Sequence, residues 1–80
     1  MTIAKTSLWC CFGNSDKIYV ATVTENNGRF VVKGEWGRRG KNLQSQIKGE
    51  FGNKWAALIA YNSLVDSKTG KGYQVTEKVA

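Results

Sequence analysis

The chain has no histidine, no proline and only two cysteines. Without histidine there is no Ser-His-Asp triad and no Cys-His pair, so the commonest ways of activating a nucleophile are missing. Two cysteines are also too few to complete the tetrahedral ligand set of a structural zinc site. Cys10 and Cys11 are adjacent, and neighbours in an extended strand point to opposite faces, which argues against a bridge between them. Such cysteine usage fits a reducing, intracellular setting. No apolar run approaches the roughly 18 residues of a membrane-spanning helix, and the opening MTIAKTS lacks the apolar stretch of a secretory leader. The expectation is a cytoplasmic protein that does not enter a membrane. Neither the P-loop nor the dinucleotide-binding glycine pattern occurs, and the six carboxylates are scattered without a suggestive pair. These absences argue against an enzyme, and no catalytic residue, metal or cofactor is expected. There is no internal repeat or low-complexity tract.

What is present is aromatic bulk and positive charge. Eighty residues suit one domain, residues 1–80, monomeric by default. A chain of this size buries only about 60% of its unfolded surface. Its three Trp, three Tyr and three Phe are therefore needed for packing, and any exposed one is informative. Twelve basic residues against six acidic ones leave a net charge of +6. The excess is uneven. Arg29, Lys33, Arg38, Arg39, Lys41, Lys48 and Lys54 are opposed only by Glu35 and Glu50 between residues 29 and 54. A local cationic field of this kind attracts polyanions and speeds their capture.

Alternation of polar and apolar residues marks the strands. Lys5–Phe12 puts Leu8, Cys10 and Phe12 on one face and Trp9 and Cys11 on the other. Gly13 to Asp16 is a turn cluster. Lys17–Thr24 is rich in β-branched and aromatic residues, and Asn27-Gly28 predicts a tight hairpin into a strand beginning at Arg29. Leu43–Phe51 alternates, with Leu43, Ser45, Ile47, Gly49 and Phe51 on one face and Gln44, Gln46, Lys48 and Glu50 on the solvated one. The period then becomes helical. From an N-cap at Gly52 or Asn53, a helix to about Lys68 presents Ala57, Leu58, Tyr61, Leu64 and Val65 as one stripe, with Gly70 as its left-handed cap. Gly72–Thr76 returns as a short edge strand. The predicted architecture is α+β, an antiparallel sheet of four to five strands with one C-terminal helix on one face. Trp55 and Ile59 fall off the stripe and are expected to pack under the N-terminal strand or the C-terminal tail. Trp9 is expected to help cover the second sheet face.

The stretch Gly34 to Lys41, GEWGRRGK, sets the functional question. Strict alternation places Trp36 with Phe30 and Val32, facing the core. Arg38 then shares that face, and an unpaired buried Arg is costly. A bulge at Gly34 would turn both outward. From the residues alone, core and display both stay open for Trp36. On display, its ring would stack on a base or sugar while Arg38 and Arg39 pair with phosphates. Lys33, Lys41 and Lys48 would add salt-dependent affinity without sequence preference.

The chain resembles the WGR domain, a module named for its Trp-Gly-Arg motif, here Trp36-Gly37-Arg38 closed by Gly40. Asn14, Lys17 and Tyr19 fit that family's pattern entering the second strand. Ala57 and Tyr61 fit its helix, and Lys68-Thr69-Gly70 followed by Tyr73 fits its exit. The resemblance spans roughly residues 6–75 and implies a sheet with one helix laid against it. WGR domains are best known in DNA-dependent poly(ADP-ribose) polymerases. There the Trp packs against the sugar at the end of a broken strand, and the Arg organises contacts to DNA or to neighbouring domains. Carried over, Trp36 is the stacking group and Arg38 the phosphate or interdomain contact. Two residues depart from the pattern: Arg39 stands where an aliphatic residue is usual, and Tyr73 where Trp is common. The implied function is a non-catalytic nucleic-acid-binding module, for DNA before RNA, with ends or nicks as candidate sites. The alternative is a protein-interaction module using the same edge. Charge alone would also allow another polyanion.

Overall fold

Asn27 and Gly28 both have positive φ, 53° and 79°, the combination demanded by a two-residue type I′ turn. The strands they join, β2 (Ser15–Asn26) and β3 (Arg29–Arg38), pair antiparallel without a register break from Asn26↔Arg29 to Lys17↔Arg38. β1 (Thr2–Phe12), β4 (Gln44–Phe51) and β5 (Gln74–Val79) complete a five-stranded antiparallel sheet in the order β4-β3-β2-β1-β5. One helix, α1 (Lys54–Thr69), packs on one face against β2, β3 and β4. The fold is thus the expected α+β class. This computed structural model describes residues 1–13 and 15–79. Asn14, which entered the family pattern and the first turn above, lies outside the described residues, as does Ala80. Among the described residues no helix is long and apolar enough to cross a membrane.

The core follows from the alternation. Ala4 and Leu8 from β1, Tyr19, Ala21 and Val23 from β2 and Val32 from β3 are buried beneath Ala57 and Tyr61 of the helix. Fully burying a Leu or Val contributes about 1.5–3 kcal/mol. Ala21 and Ala57 leave no side-chain surface exposed, and their small size lets helix and sheet approach closely. The Thr6 and Tyr61 hydroxyls hydrogen-bond to each other, tying β1 to the helix. Leu58, Leu64 and Val65 pack at the margins of the same core. Asn53 is the N-cap, its side-chain oxygen accepting from the backbone N–H of Trp55 at 2.7 Å and of Ala56 at 3.3 Å.

Four local expectations are corrected. Gly34 makes no bulge, because the β2–β3 register runs through it unbroken. Its missing side chain is instead filled by Tyr19: a Cβ at Gly34 would overlap the Tyr19 hydroxyl and lie 2.8 Å from Cζ. The bulge lies in β4. Val32 pairs with Gly49 and Lys33 with Ile47, so Lys48 is the extra residue. Before it the faces exchange: Gln46 opposes Gly34 and Gln44 opposes Trp36, while Ile47 is turned out and is 58% exposed. The left-handed glycine after the helix is Gly72, φ +103°, and Gly70 is right-handed at φ −66°. The turn winds on past Gly70 because Lys71, Gly72 and Tyr73 donate back to the carbonyls of Lys68 and Thr69. Finally, Trp55 and Ile59 are 70% and 68% exposed. No described element reaches the outer side of α1, since β5 joins the far edge of the sheet beside β1.

Candidate nucleic-acid interface

Trp36 sits in register with Tyr19 on β2 and Gln44 on β4. Its face is the core face, yet it is only half-buried. Core and display are therefore both true of one residue. The strand carries the alternation past the end of the packed core, and Trp36 is the last core residue and the first surface one. The same continuation resolves Arg38: two residues further on, it is exposed and needs no buried partner.

Around Trp36 lies a cleft of about 170 Å³ lined by Tyr19, Trp36, Gln46, Lys48, Lys68 and Tyr73. The rings of Tyr19 and Trp36 are nearly parallel, 14° apart with centroids at 6.3 Å. Tyr73 meets Tyr19 edge-on, at 6.3 Å and 73°. The Lys68 ammonium stands 4.6 Å from the Tyr19 ring centroid and that of Lys48 5.6 Å from the Trp36 centroid. Each element supplies its part for a local reason. The β4 bulge brings Lys48 onto the Trp36 face. The turn after α1 sets both Lys68 and Tyr73, whose backbone N–H donates to the Lys68 carbonyl at 3.2 Å.

The electrostatics of the cleft are one-sided. Lys68 is held below its ordinary pKa of 10.5, first by partial burial and then by the charges of Lys71 and Lys48. Tyr19 and Tyr73 are pushed above the ordinary tyrosine value, mainly by burial. Arg38 pairs across the sheet with Lys17, a like-charge placement that is unfavourable without a counterion. Among the described residues, none of Lys17, Arg38, Lys48 and Lys68 forms an ion pair. The Tyr19 hydroxyl, in a residue only 3% exposed, has no hydrogen-bond partner there either.

The remaining expected site residues lie elsewhere. Lys33 is on the opposite sheet face, its ammonium 3.8 Å from a Glu35 oxygen. Arg39 also leaves the Trp36 face. Its Nε donates to Asp16 Oδ2 at 3.1 Å, and its guanidinium lies 5.2 Å from the Trp9 ring centroid. Trp9 in turn donates its indole N–H to Asp16 Oδ1 at 2.6 Å. Asp16 accordingly ionises below its usual 3.8, chiefly through the Trp9 hydrogen bond and then through Arg39. Trp9, partly buried, thus lies on the second sheet face in contact with Arg39 and Asp16. Lys41 is exposed in the β3–β4 turn. Gly37 makes room for Leu43, whose Cδ2 a Cβ there would meet at 3.1 Å. The structure therefore joins Trp36, Arg38 and Lys48 and separates Lys33 and Arg39 from them. Lys17, Tyr19, Gln46, Lys68 and Tyr73 join the site without having been read as binding residues. Lys17, Tyr19, Lys68 and Tyr73 had a signal in the sequence, since all four fall in the family pattern.

The profile of the WGR domain family matches residues 6–80. The chain belongs to the WGR family. The Trp-Gly-Arg motif of this WGR domain forms the end of β3, where the sheet outruns its helix. No curated protein and no solved structure matches the chain significantly.

Proposed function

We propose that this WGR domain is a non-catalytic nucleic-acid-binding module, acting in the cytoplasm, that prefers DNA to RNA and recognises ends or nicks. The observation that carries the reading is the rim of Lys17, Arg38, Lys48 and Lys68. All four lie on the Trp36 side of the sheet, and none is ion-paired among the described residues. A polyanion supplies the missing counterions. Arg38 offers a planar fork to phosphate, and Lys48 and Lys68 offer point charges. Trp36 supplies a partly exposed aromatic ring, under the mobile stem of Lys48, for a terminal sugar or base. Among the described residues no polar recognition helix faces this site, so little direct base readout in the major groove is expected. Arg39 and Lys33, already paired with acids, contribute less than Arg38 and Lys48.

Fluorescence polarisation of the protein on nicked, blunt and circular duplexes over a salt series tests this. Affinity should fall with salt at a slope of about −0.9 per phosphate contact. Arg38→Ala and Lys48→Ala should each reduce that slope by about one, and Arg39→Ala should not. Equal binding to circular and broken duplexes would remove end recognition from the proposal. A protein-docking reading is favoured by one observation away from the Trp-Gly-Arg edge that the sequence suggested for it, the exposed Trp55 and Ile59 on the outer side of α1. Absence of duplex binding at low salt, with a protein partner lost on Trp55→Ala, would favour it.

A further inference from the structure

The cleft beside Trp36 is smaller than the surface that holds a duplex, and its lining is more selective than phosphate binding requires. We infer that it receives one unpaired base at the end of a strand, between Trp36, Tyr19 and Tyr73, so that the domain favours ends with an overhanging nucleotide. The inference rests on the nucleic-acid reading of the same site.

Size comes first. The volume of about 170 Å³ lies below the roughly 300–1,000 Å³ of sites for drug-sized ligands. It admits a single planar ring system and no paired bases. Shape agrees, because two nearly parallel rings and a third set edge-on offer flat apolar walls. Three aromatic rings also form the usual cage for a quaternary or methylated ammonium. That ligand is disfavoured here, since the ring faces already carry the Lys48 and Lys68 ammoniums and, among the described residues, no carboxylate lines the cleft. The site repels cations and calls for an anion attached to a flat apolar body. A nucleotide is such a body.

Polar groups complete the match. The Lys48 ammonium donates to Gln46 Oε1 at 2.9 Å, which leaves the Gln46 amide N–H groups free. The unpartnered Tyr19 hydroxyl lies over Gly34, the cross-strand partner of Gln46. That hydroxyl is itself closed off from the cleft, so a base edge brings its acceptors to the free Gln46 N–H groups. In the free protein Lys48 and Lys68 rest on the rings. On binding, their long flexible stems swing the ammoniums to the phosphates flanking the inserted base, and the ring faces open. Both ammoniums then gain the counterions they lack.

The test uses a hairpin-closed duplex with one open end and a distal fluorophore. The end is blunt, or carries one overhanging 2-aminopurine nucleotide, or one abasic overhang. The wild type should bind the 2-aminopurine end about tenfold tighter than the other two, a typical effect of one stacked base. The base fluorescence should be quenched on binding. Gln46→Ala, at an exposed position, and Tyr73→Leu should each lose that preference, whereas Ile59→Ala on the far side of the helix should keep it. Equal affinity for base and abasic overhangs, or an unquenched base, would overturn base insertion while salt-dependent binding leaves the nucleic-acid reading standing. Failure of all three probes to bind at low salt would overturn both.

Discussion

Gly34 and Tyr19 are one packing decision made at two positions. The buried Tyr19 ring passes over β3 where a side chain would otherwise stand. Gly34→Ala should therefore destabilise the domain by about 1–3 kcal/mol, as overpacking does in a closed core. Chemical denaturation measures it. Adding Tyr19→Phe should recover part of the loss, because the hydroxyl is the atom nearest the new methyl. Tyr19→Phe alone removes a buried polar group that has no partner among the described residues. Its stability should stay level or rise by up to about 1 kcal/mol. A stability loss in Tyr19→Phe would show that the hydroxyl serves the fold. The sequence showed that Gly34 has no Cβ, and alternation correctly put Trp36 on the core face. What it left open was the neighbour that fills the gap, so a bulge and a close approach read alike.

Among the elements, α1 and β4 carry the clearest expectations. Asn53 satisfies two backbone N–H groups at the helix start. Asn53→Ala should cost about 1 kcal/mol, a fall in Tm of about 4–8 °C for a domain this small. Trp55 lies two residues after that cap, in the first turn, pointing to solvent. Trp55→Ala should change stability by less than about 0.5 kcal/mol, although loss of a packed Trp would cost several times more. Calorimetry of the two variants side by side separates cap from bystander. The helix stripe was legible because Ala57, Leu58, Tyr61, Leu64 and Val65 repeat at helical spacing. The face of β4 was not, because one extra residue inverts a period of two. QSQIKGEF alternates just as well with or without a bulge, and only pairing with β3 identifies Lys48 as the extra residue.

For the whole molecule, the two ends of the charge distribution respond to opposite extremes of pH. Asp16 ionises below its ordinary 3.8 in the folded state. Its contribution to stability is therefore present above about that pH and is lost as pH falls through its lowered folded value. Asp16→Asn and Arg39→Ala should each flatten the acid limb of a stability–pH curve. Lys68 is also lowered, but there the shift disfavours the charged form, which burial and its lysine neighbours make costly. A bound anion restores that charge. Binding should accordingly weaken on the alkaline side sooner than an ordinary lysine's titration would cause, and Lys68→Met should remove this part of the pH dependence. Polarisation at fixed salt across that range reads it directly.

The sequence by itself determined the class of fold, the hairpin at Asn27-Gly28, the capped helix and the family. Each rests on local chemistry: a turn needing two positive φ angles, an oxygen placed before the first free N–H groups, and a motif contiguous in the chain. Tertiary structure alone decided which charges share a surface. Residues 29–54 are strongly basic along the chain, yet alternation and the Lys48 bulge send Lys33 and Arg39 to one face and Arg38 and Lys48 to the other. Lys17 and Lys68 then join Trp36 from β2 and from the end of α1. Charge acts through space, and the sheet register, the bulge and the turn after the helix set that spacing.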